Sequence, residues 1–224
     1  MANLQKMIAG LVSADNETRN RSKFFFLSQG YDTMCEYLPG KPYEHFAEMI
    51  TSGRPARVLD DCSGTGYTAR TLAKQLPGSQ IDALDISPAM LAGAKEPSDA
   101  EGLSNIRYHN ESAARLPFGD NTFDVVCISL GLHELPPEIR AASLAESFRV
   151  LKPGASFYAM DLDRPDGHGF LMDFYLAIGE PPYARAVLSG GIGELLQKAG
   201  FTVVQKQTGM ADLLQCVEAR KPGN

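Results

Sequence analysis

The 224-residue sequence has little positive charge, few cysteines and no long apolar segment. It contains 21 Lys and Arg against 27 Asp and Glu, a formal net charge of −6, and it has no short run of basic residues. Because an acidic chain gains no counterion release from a phosphate backbone, we expect no nucleic-acid substrate. No apolar run approaches the roughly 18 residues that a membrane-spanning helix requires, so we expect no membrane partner either.

The four cysteines are scattered, and none forms a C-x-x-C pair. They are Cys35, Cys62, Cys127 and Cys216. This spacing does not suit a cysteine-based metal site, and two of the four lie in apolar, strand-like runs. We therefore expect reduced, packed thiols in a cytoplasmic protein.

The start of the chain has helical rather than strand patterning. In residues 1–12 apolar side chains recur at helical spacing, without a basic leader or a cleavage site, so we expect a packed helix and no signal peptide. Its apolar side suits either the protein's own body or a second copy in a homodimer. Because residues 1–55 show no strand pattern, we expect an N-terminal helical cap on a domain that comprises residues 56–224.

From residue 56 onward, predicted strands alternate with predicted helices. Strands are predicted at 56–60, 79–85, 105–110, 122–130 and 155–163, and helices at 65–76, from Pro88 onward, at 136–151 and at 189–200. Ser87 is placed to cap the second helix, with Pro88 in its first turn. This alternation predicts an α/β fold with a parallel sheet covered by helices on both faces. The last two strands, 201–209 and 212–221, are joined by a short turn, so they must pair antiparallel.

A glycine-rich loop follows the first strand in "VLDDCSGTGYTA", residues 58–69. Gly64 and Gly66 satisfy the pattern of a dinucleotide-binding turn, and an acid, Asp85, follows 21 residues after Gly64. These glycines do not distinguish the ligand, because a tight turn requires them with any cofactor. Asp60 and Asp61 stand directly before the turn, and their carboxylates suit an ammonium or sulfonium group but would repel phosphates.

Further acids follow the second and third strands. Ligands of open parallel sheets bind beyond the carboxyl ends of the strands, where Asp85 suits ribose hydroxyls and Glu111 suits the exocyclic amine of adenine. With Asp60 they predict an adenosine that carries a cationic amino-acid tail, S-adenosylmethionine. Purely structural roles remain open for each: a loop cap for Asp60, a helix-start acid for Asp85 and a solvated acid for Glu111.

Five segments in order resemble the motifs of class I S-adenosylmethionine-dependent methyltransferases, over essentially residues 56–220. They are "VLDDCSGTG", "ALDISPAML", "ESAARLPF", "FDVVCISLGLHEL" and "RVLKPGA". The resemblance implies a Rossmann-like, mostly parallel, seven-stranded sheet of order 3-2-1-4-5-7-6 with an antiparallel last strand. It also implies S-adenosylmethionine as methyl donor and S-adenosylhomocysteine as product.

The resemblance implies a set of donor-binding residues in these segments. They are Asp60, Cys62, Ser63, Gly64, Gly66, Asp85, Ile86, Met90, Glu111, Ser112 and Ser129. Two places depart from the family pattern: Cys62 and Ser63 stand where the family has its first glycine and the following residue, and "NES" (110–112) replaces G-D-A. A side chain at position 62 narrows the loop.

Three residues are candidates for catalysis. Methyl transfer from a sulfonium is an in-line displacement, in which the enzyme aligns the nucleophile and, where needed, removes its proton. His133, after the fourth strand, has an ordinary pKa that suits a general base, but a histidine that holds the loop by bonding a backbone carbonyl is an equal alternative. His168, in a glycine-flanked loop, is a second candidate base or a plain connector residue. Tyr31 belongs to a Tyr-Asp pair that resembles one in quinone-biosynthesis-like methyltransferases, where the tyrosine lies near the cofactor.

We expect no metal and a small-molecule acceptor. Asp161 and Asp163 look like a chelating pair, but the segment after the fourth strand lacks the acids of metal-dependent catechol-type enzymes. The aromatic, uncharged front region favours an apolar or aromatic acceptor, shaped by the front helices and residues 164–190, with O-methylation first and C- or N-methylation next. The alternatives are a non-methylating S-adenosylmethionine-binding protein and an NAD(P)-dependent oxidoreductase, although the sequence has no Y-x-x-x-K pair.

Overall fold

The computed structural model describes residues 31–164, 182–188, 191–209 and 213–223, with the side chains of Tyr31 and Met34 left out. The predicted helix in residues 1–12 lies outside the described residues. The division of the chain into a cap of residues 1–55 and a domain of residues 56–224 stays a prediction.

The described residues form one seven-stranded sheet. Its strands are β1 Arg57–Asp61, β2 Gln80–Leu84, β3 Ile106–His109, β4 Phe123–Ser129, β5 Leu151–Leu162, β6 Thr202–Gly209 and β7 Leu214–Arg220. The order is β3-β2-β1-β4-β5-β7-β6. Strands β1 to β5 pair in parallel, and β7 pairs antiparallel with both β5 and β6. The predicted Rossmann-like order and the reversed last strand are confirmed.

Six α-helices of the described residues surround this sheet. They are α1 Tyr31–Tyr37, α2 Pro42–Thr51, α3 Tyr67–Gln75, α4 Pro88–Ala100, α5 Pro137–Val150 and α6 Gly191–Lys198, with 3-10 turns at Leu132–Glu134 and Pro182–Val187. Ser87 caps α4 as predicted, since its Oγ accepts a hydrogen bond from the backbone amide of Met90 at 3.3 Å. None of the described helices is long and apolar enough to cross a membrane.

The sheet has a hydrophobic core on each face, because successive side chains of a strand point to opposite sides. Val58 of β1 belongs to the core that includes α2 and α3, whereas Leu59 belongs to the core beneath α5 and α6. The helices α1 and α2 share the first core with α3, and the rings of Tyr43 and Tyr67 meet edge to face at 5.0 Å. The helices α1 and α2 are therefore packed beside the loop that follows β1.

Candidate functional site

The glycine-rich loop between β1 and α3 is a series of left-handed residues fixed to the end of β2. Cys62, Gly64 and Gly66 have φ of 57°, 53° and 72°. The amide of Ser63 donates to the Leu84 carbonyl at 2.9 Å, and the amide of Gly66 donates to the Ser63 carbonyl at 2.8 Å. A Cβ added at Gly66 would lie 2.9 Å from the Cβ of Ala94. The helix α3 therefore begins at Tyr67, two residues later than predicted, because Gly66 is its left-handed N-cap.

Cys62 adopts a backbone conformation that usually belongs to glycine. A left-handed conformation costs an L-residue about 1–2 kcal/mol, so surrounding contacts must hold it. A Cβ added at Gly131, after β4, would lie 3.0 Å from the Cβ of Cys62. The side chain at position 62 is thus accommodated by a glycine in the facing loop. Burial raises the pKa of the Cys62 thiol well above its usual value, so it is no reactive thiolate.

The two acids at the end of β1 point to opposite faces of the sheet, and both are fully buried. Asp60 Oδ1 accepts a weak hydrogen bond from the Cys127 thiol at 3.7 Å. Burial, followed by the charge of Asp61, raises the pKa of Asp60 to about 8. Asp61 Oδ2 accepts from Ser143 Oγ of α5 at 3.0 Å, and burial raises its pKa to about 7.

Two polar atoms of this loop lack a hydrogen-bond partner within the described part of the chain. They are Asp60 Oδ2 and Ser63 Oγ, and both are buried. Buried polar groups are nearly always hydrogen-bonded, so an exception in a loop at the carboxyl edge of a sheet suits a ligand. The carboxylate in particular fits a cationic group, which would favour its ionised form.

Asp85 joins the loop to the end of β2. Its Oδ2 accepts from the Gly64 amide at 2.9 Å and its Oδ1 accepts from the Ser87 amide at 2.8 Å. Each carboxylate oxygen has a second lone pair, which leaves room for ribose hydroxyl donors. Burial raises the pKa of Asp85. Ile86, directly after it, is a large apolar side chain that is 72% exposed, as expected of a surface that an adenine ring would cover.

The remaining predicted donor-binding residues differ in their exposure and in their hydrogen-bond partners. Met90 is buried in the first turn of α4, and Glu111 is exposed beyond β3. Ser112 Oγ accepts from the Ala114 amide at 3.3 Å, so it turns into its own loop. Ser129 Oγ lies 2.8 Å from the hydroxyl of Thr68 on α3. The structure brings Asp60, Cys62, Ser63, Gly64, Gly66 and Asp85 together in or against one loop.

His133 is held by two acids. Its Nδ1 lies 2.5 Å from Asp161 Oδ1, its backbone amide donates to Asp161 Oδ2 at 3.2 Å, and its Nε2 lies 3.4 Å from Glu134 Oε1. Burial alone would lower the pKa of this imidazole, but the charge and hydrogen bond of Asp161, together with Glu134, raise it to about 10. A protonated imidazole cannot accept a proton at neutral pH. The arrangement therefore favours the structural alternative, with a carboxylate in place of the expected backbone carbonyl.

The other catalytic candidates have no described side chain. Tyr31 begins α1, with only its backbone described, and His168 lies outside the described residues. Of the suspected chelating pair, Asp161 binds His133, and Asp163 pairs with Lys206 at 2.9 Å. Within the described ranges, no three His, Cys, Asp or Glu side chains are grouped to hold a metal.

Sequence reasoning did not include four residues of this site: Asp32, Thr65, Arg70 and Asn110. Asn110 Nδ2 donates to the Asp85 carbonyl at 3.0 Å and so connects β3 to the acid after β2. Asp32 of α1 contacts Thr65 in the glycine-rich loop and Arg70 in α3. The position of Asn110 after a strand could have pointed to it, whereas no local pattern pairs Asp32 with Arg70.

Comparisons with known proteins agree with this geometry. The family model described as a methyltransferase domain matches residues 58–154. The chain is 35% identical to an uncharacterized methyltransferase of Synechocystis over 181 aligned residues. This alignment covers 80% of each of the two chains. It is 32% identical over 144 residues to a ubiquinone/menaquinone biosynthesis C-methyltransferase of Zymomonas mobilis, which covers 62% of this chain and 58% of that one. The solved structure of a SAM-dependent methyltransferase from Aquifex aeolicus superposes with a TM-score of 0.65 at 22% identity, over 84% of this chain and 97% of that one.

Proposed function

This chain belongs to the class I S-adenosylmethionine-dependent methyltransferases, and we propose that it methylates a ring carbon of a small, electron-rich aromatic acceptor such as a reduced quinone. Bound S-adenosylmethionine supplies a methyl group activated by its sulfonium charge.

The donor-binding roles rest on two buried oxygen atoms, Asp60 Oδ2 and Ser63 Oγ, which lack a hydrogen-bond partner among the described residues. Asp60 would face the cationic tail of the donor with its free carboxylate oxygen, and Asp85 would accept from the ribose hydroxyls with its remaining lone pairs. Ile86 would cover one face of the adenine with its exposed side chain. Gly64 leaves open space beside the loop for the tail, since a Cβ built there would meet nothing within 4 Å, whereas the missing Cβ of Gly66 makes room for Ala94 of α4.

The choice of carbon rests on one observation, the pairing of His133 with Asp161 and Glu134. Methylation of a hydroxyl oxygen gains from a nearby base, and this imidazole is already protonated at neutral pH. A ring carbon beside a hydroxyl group instead receives electron density from that oxygen and can form the new bond before its own proton leaves. After the carbon–methyl bond forms, the ring proton passes to water and aromaticity is restored. This reverses the order that the sequence favoured, in which O-methylation came first.

The names of the relatives also support a quinone-type acceptor. The Zymomonas mobilis relative is named a C-methyltransferase of ubiquinone and menaquinone biosynthesis, and this chain spans 58% of its length. The acceptor region predicted at residues 164–190 falls mostly outside the described residues, so the acceptor proposal rests on the chemistry of His133 and on these relatives.

The test is a product analysis with two matched acceptors. The purified protein is incubated with S-adenosylmethionine and either a 2-prenyl-1,4-naphthohydroquinone, kept reduced, or a catechol with the same side chain. We expect mass spectrometry to show one added methyl group on the naphthohydroquinone, and NMR to place it on the ring carbon. An O-methyl product would instead support the original first choice. Donor binding without transfer to either acceptor would support a non-methylating donor-binding protein.

A further inference from the structure

We propose that Asp32 and Arg70 are positioning residues that hold the glycine-rich loop in the conformation that binds the donor. In this proposal the cap helix α1 is part of the donor site, although it contacts that site from outside the β1-to-α3 segment. The inference rests on the proposed donor site and is independent of the acceptor.

The contacts converge on Thr65, the residue between the two glycines of the loop. Asp32 Oδ1 accepts a hydrogen bond from Thr65 Oγ1 at 2.7 Å, and Asp32 Oδ2 pairs with Arg70 Nη2. Arg70 Nη1 donates to the backbone carbonyl of Thr65 at 2.7 Å. Thr65 is thus held by its side chain and by its backbone, from two different helices.

Such contacts matter here because the loop cannot set its own shape. Gly64 and Gly66 are both left-handed, and glycine has the widest choice of backbone conformations of any residue. The amide of Gly64 is fixed by Asp85, and the amide of Gly66 is fixed by Ser63. Without Asp32 and Arg70, the carbonyl and hydroxyl between these points would be free to rotate, and donor binding would have to order them.

The burial of Arg70 strengthens its pairing with Asp32. Arg70 is only 4% exposed, and the Asp32 side chain is 32% exposed. Hydrogen bonds between charged partners are stronger than neutral ones, more so away from water. Arg70 Nε also lies 3.8 Å from Glu101 Oε2, so the guanidinium keeps one acidic partner if Asp32 is neutralised. Neutralising Asp32 should therefore loosen the loop without leaving a buried cation alone.

The experiment measures donor affinity by calorimetry without any acceptor. We compare the wild-type protein with Asp32→Asn, Thr65→Val and the double variant, since both replacements keep the shape of the side chain. We expect each single variant to weaken donor binding about tenfold. The double variant should bind no more weakly than the weaker single variant, because both changes act on the network around Thr65: Asp32→Asn weakens the pair with Arg70, and Thr65→Val removes the hydroxyl. Thr65→Ser, which keeps the hydroxyl, should bind the donor nearly as well as the wild-type protein.

Asp124→Asn is the matched control. The Asp124 side chain is 26% exposed, and it accepts hydrogen bonds from the amides of Ala56 and Arg57 and from Lys152. It lies at the amino end of β4, whereas the donor site lies beyond the carboxyl ends of the strands. We expect it to lower the unfolding temperature and leave donor affinity unchanged. Unchanged donor affinity in Asp32→Asn as well would show that Asp32 only stabilises the fold and would overturn the proposal.

The comparison of two Thr65 variants keeps the proposal testable if Asp32→Asn does not fold. Equal donor affinity in Thr65→Val and Thr65→Ser would refute it, and a loss only in Thr65→Val would support it. A wild-type protein that binds no donor would overturn the donor site itself. A wild-type protein that binds the donor but methylates no quinol would overturn only the acceptor proposal.

Discussion

Donor affinity should increase with pH, because Asp60 must lose a proton before it can bind a cation. Asp60 is fully buried, and its Oδ2 has no hydrogen-bond partner within the described ranges. Burial and the charge of Asp61 raise its pKa to about 8. The Asp60 carboxyl is therefore mostly protonated at pH 7 in the free protein. A sulfonium or ammonium group beside it favours the carboxylate, so binding should release a proton.

The size of the effect follows from that pKa. Below the pKa of the free carboxyl, each decrease of one pH unit weakens donor binding about tenfold, provided that the carboxyl stays ionised in the complex. Between pH 8 and pH 6 the dissociation constant should increase roughly fifty-fold, which corresponds to about 2 kcal/mol. At pH 7 close to one proton should leave the protein for each donor bound.

Calorimetry in two buffers of different ionisation enthalpy measures both the affinity and the number of released protons. The Asp60→Asn variant should bind the donor weakly with little dependence on pH, and the Asp124→Asn control should keep the wild-type profile. A wild-type dissociation constant that is flat between pH 6 and pH 8, without proton release, would refute this role of Asp60.

The Asp60 carboxyl should lower the stability of the ligand-free protein as the pH rises, whereas it increases donor affinity. Because folding raises the pKa of Asp60, its contribution to the free energy of unfolding is full below about pH 4 and is lost as the pH rises through about 8. We expect ligand-free Asp60→Asn protein to unfold at a higher temperature than the wild-type protein at pH 8, and the difference to shrink as the pH falls toward 4. A wild-type protein more stable than the variant at pH 8 would contradict this reasoning.

Three further predictions concern single residues of the site. Gly66→Ala should lower the free energy of unfolding by about 1–3 kcal/mol more than Gly64→Ala in denaturant titrations, because only its Cβ would meet Ala94, at 2.9 Å. Equal losses would show that the left-handed φ alone decides the effect. The His133 imidazole should remain protonated from pH 6 to pH 8 by NMR, and its contribution to stability should be full below about pH 6.5 and be lost as the pH rises through about 10. A midpoint at the ordinary histidine value would contradict the paired geometry. Asp85→Ala should weaken donor binding at least about tenfold in calorimetry and lower the unfolding temperature, because it also removes bonds to two backbone amides. Unchanged affinity would remove Asp85 from the site.

The element order was predictable because its signals are local. The β1 strand and the hairpin β6–β7 were predicted within about two residues of their observed ends, from apolar runs bounded by turn residues. The main error was the start of β5, predicted at residue 155 and observed at Leu151. Pro153 and Gly154 are typical of a turn, but the strand passes through them, with a register irregularity where Leu151 pairs with Phe123 of β4. Strand pairing overrode the local turn signal at this point.

The donor side of the site was partly predictable for the same reason. Asp60 lies near the end of β1, and Gly64, Gly66 and Asp85 closely follow β1 or β2, so their position beyond the carboxyl ends of the strands follows from a parallel arrangement. The internal bonds of the site were not predictable. The Asp85 carboxylate accepts a hydrogen bond from the Gly64 amide in addition to any bond with a ribose. This contact depends on how close the pairing of β1 with β2 brings the loops that follow these two strands.

The protonation state of His133 shows where local reasoning ends. An isolated histidine suits a general base, but Asp161 approaches it from β5, 28 residues further along the chain. The pairing of Asp32 with Arg70 likewise joins α1 to α3 across 38 residues. No spacing rule covers such contacts, because they depend on the packing of whole elements.

By itself, the sequence determined the alternation of strands and helices, the reversed last strand and the grouping of acids at the carboxyl edge of the sheet. These features depend on periodicity, turn residues and strand direction, which act over a few residues at a time. Only the tertiary structure decided that Asp60 is buried with one oxygen unpartnered among the described residues, that His133 pairs with Asp161 and that Asp32 of α1 contacts the glycine-rich loop. Charge states and contacts of this kind depend on desolvation and on partners that are distant in the chain, and folding alone brings those partners together.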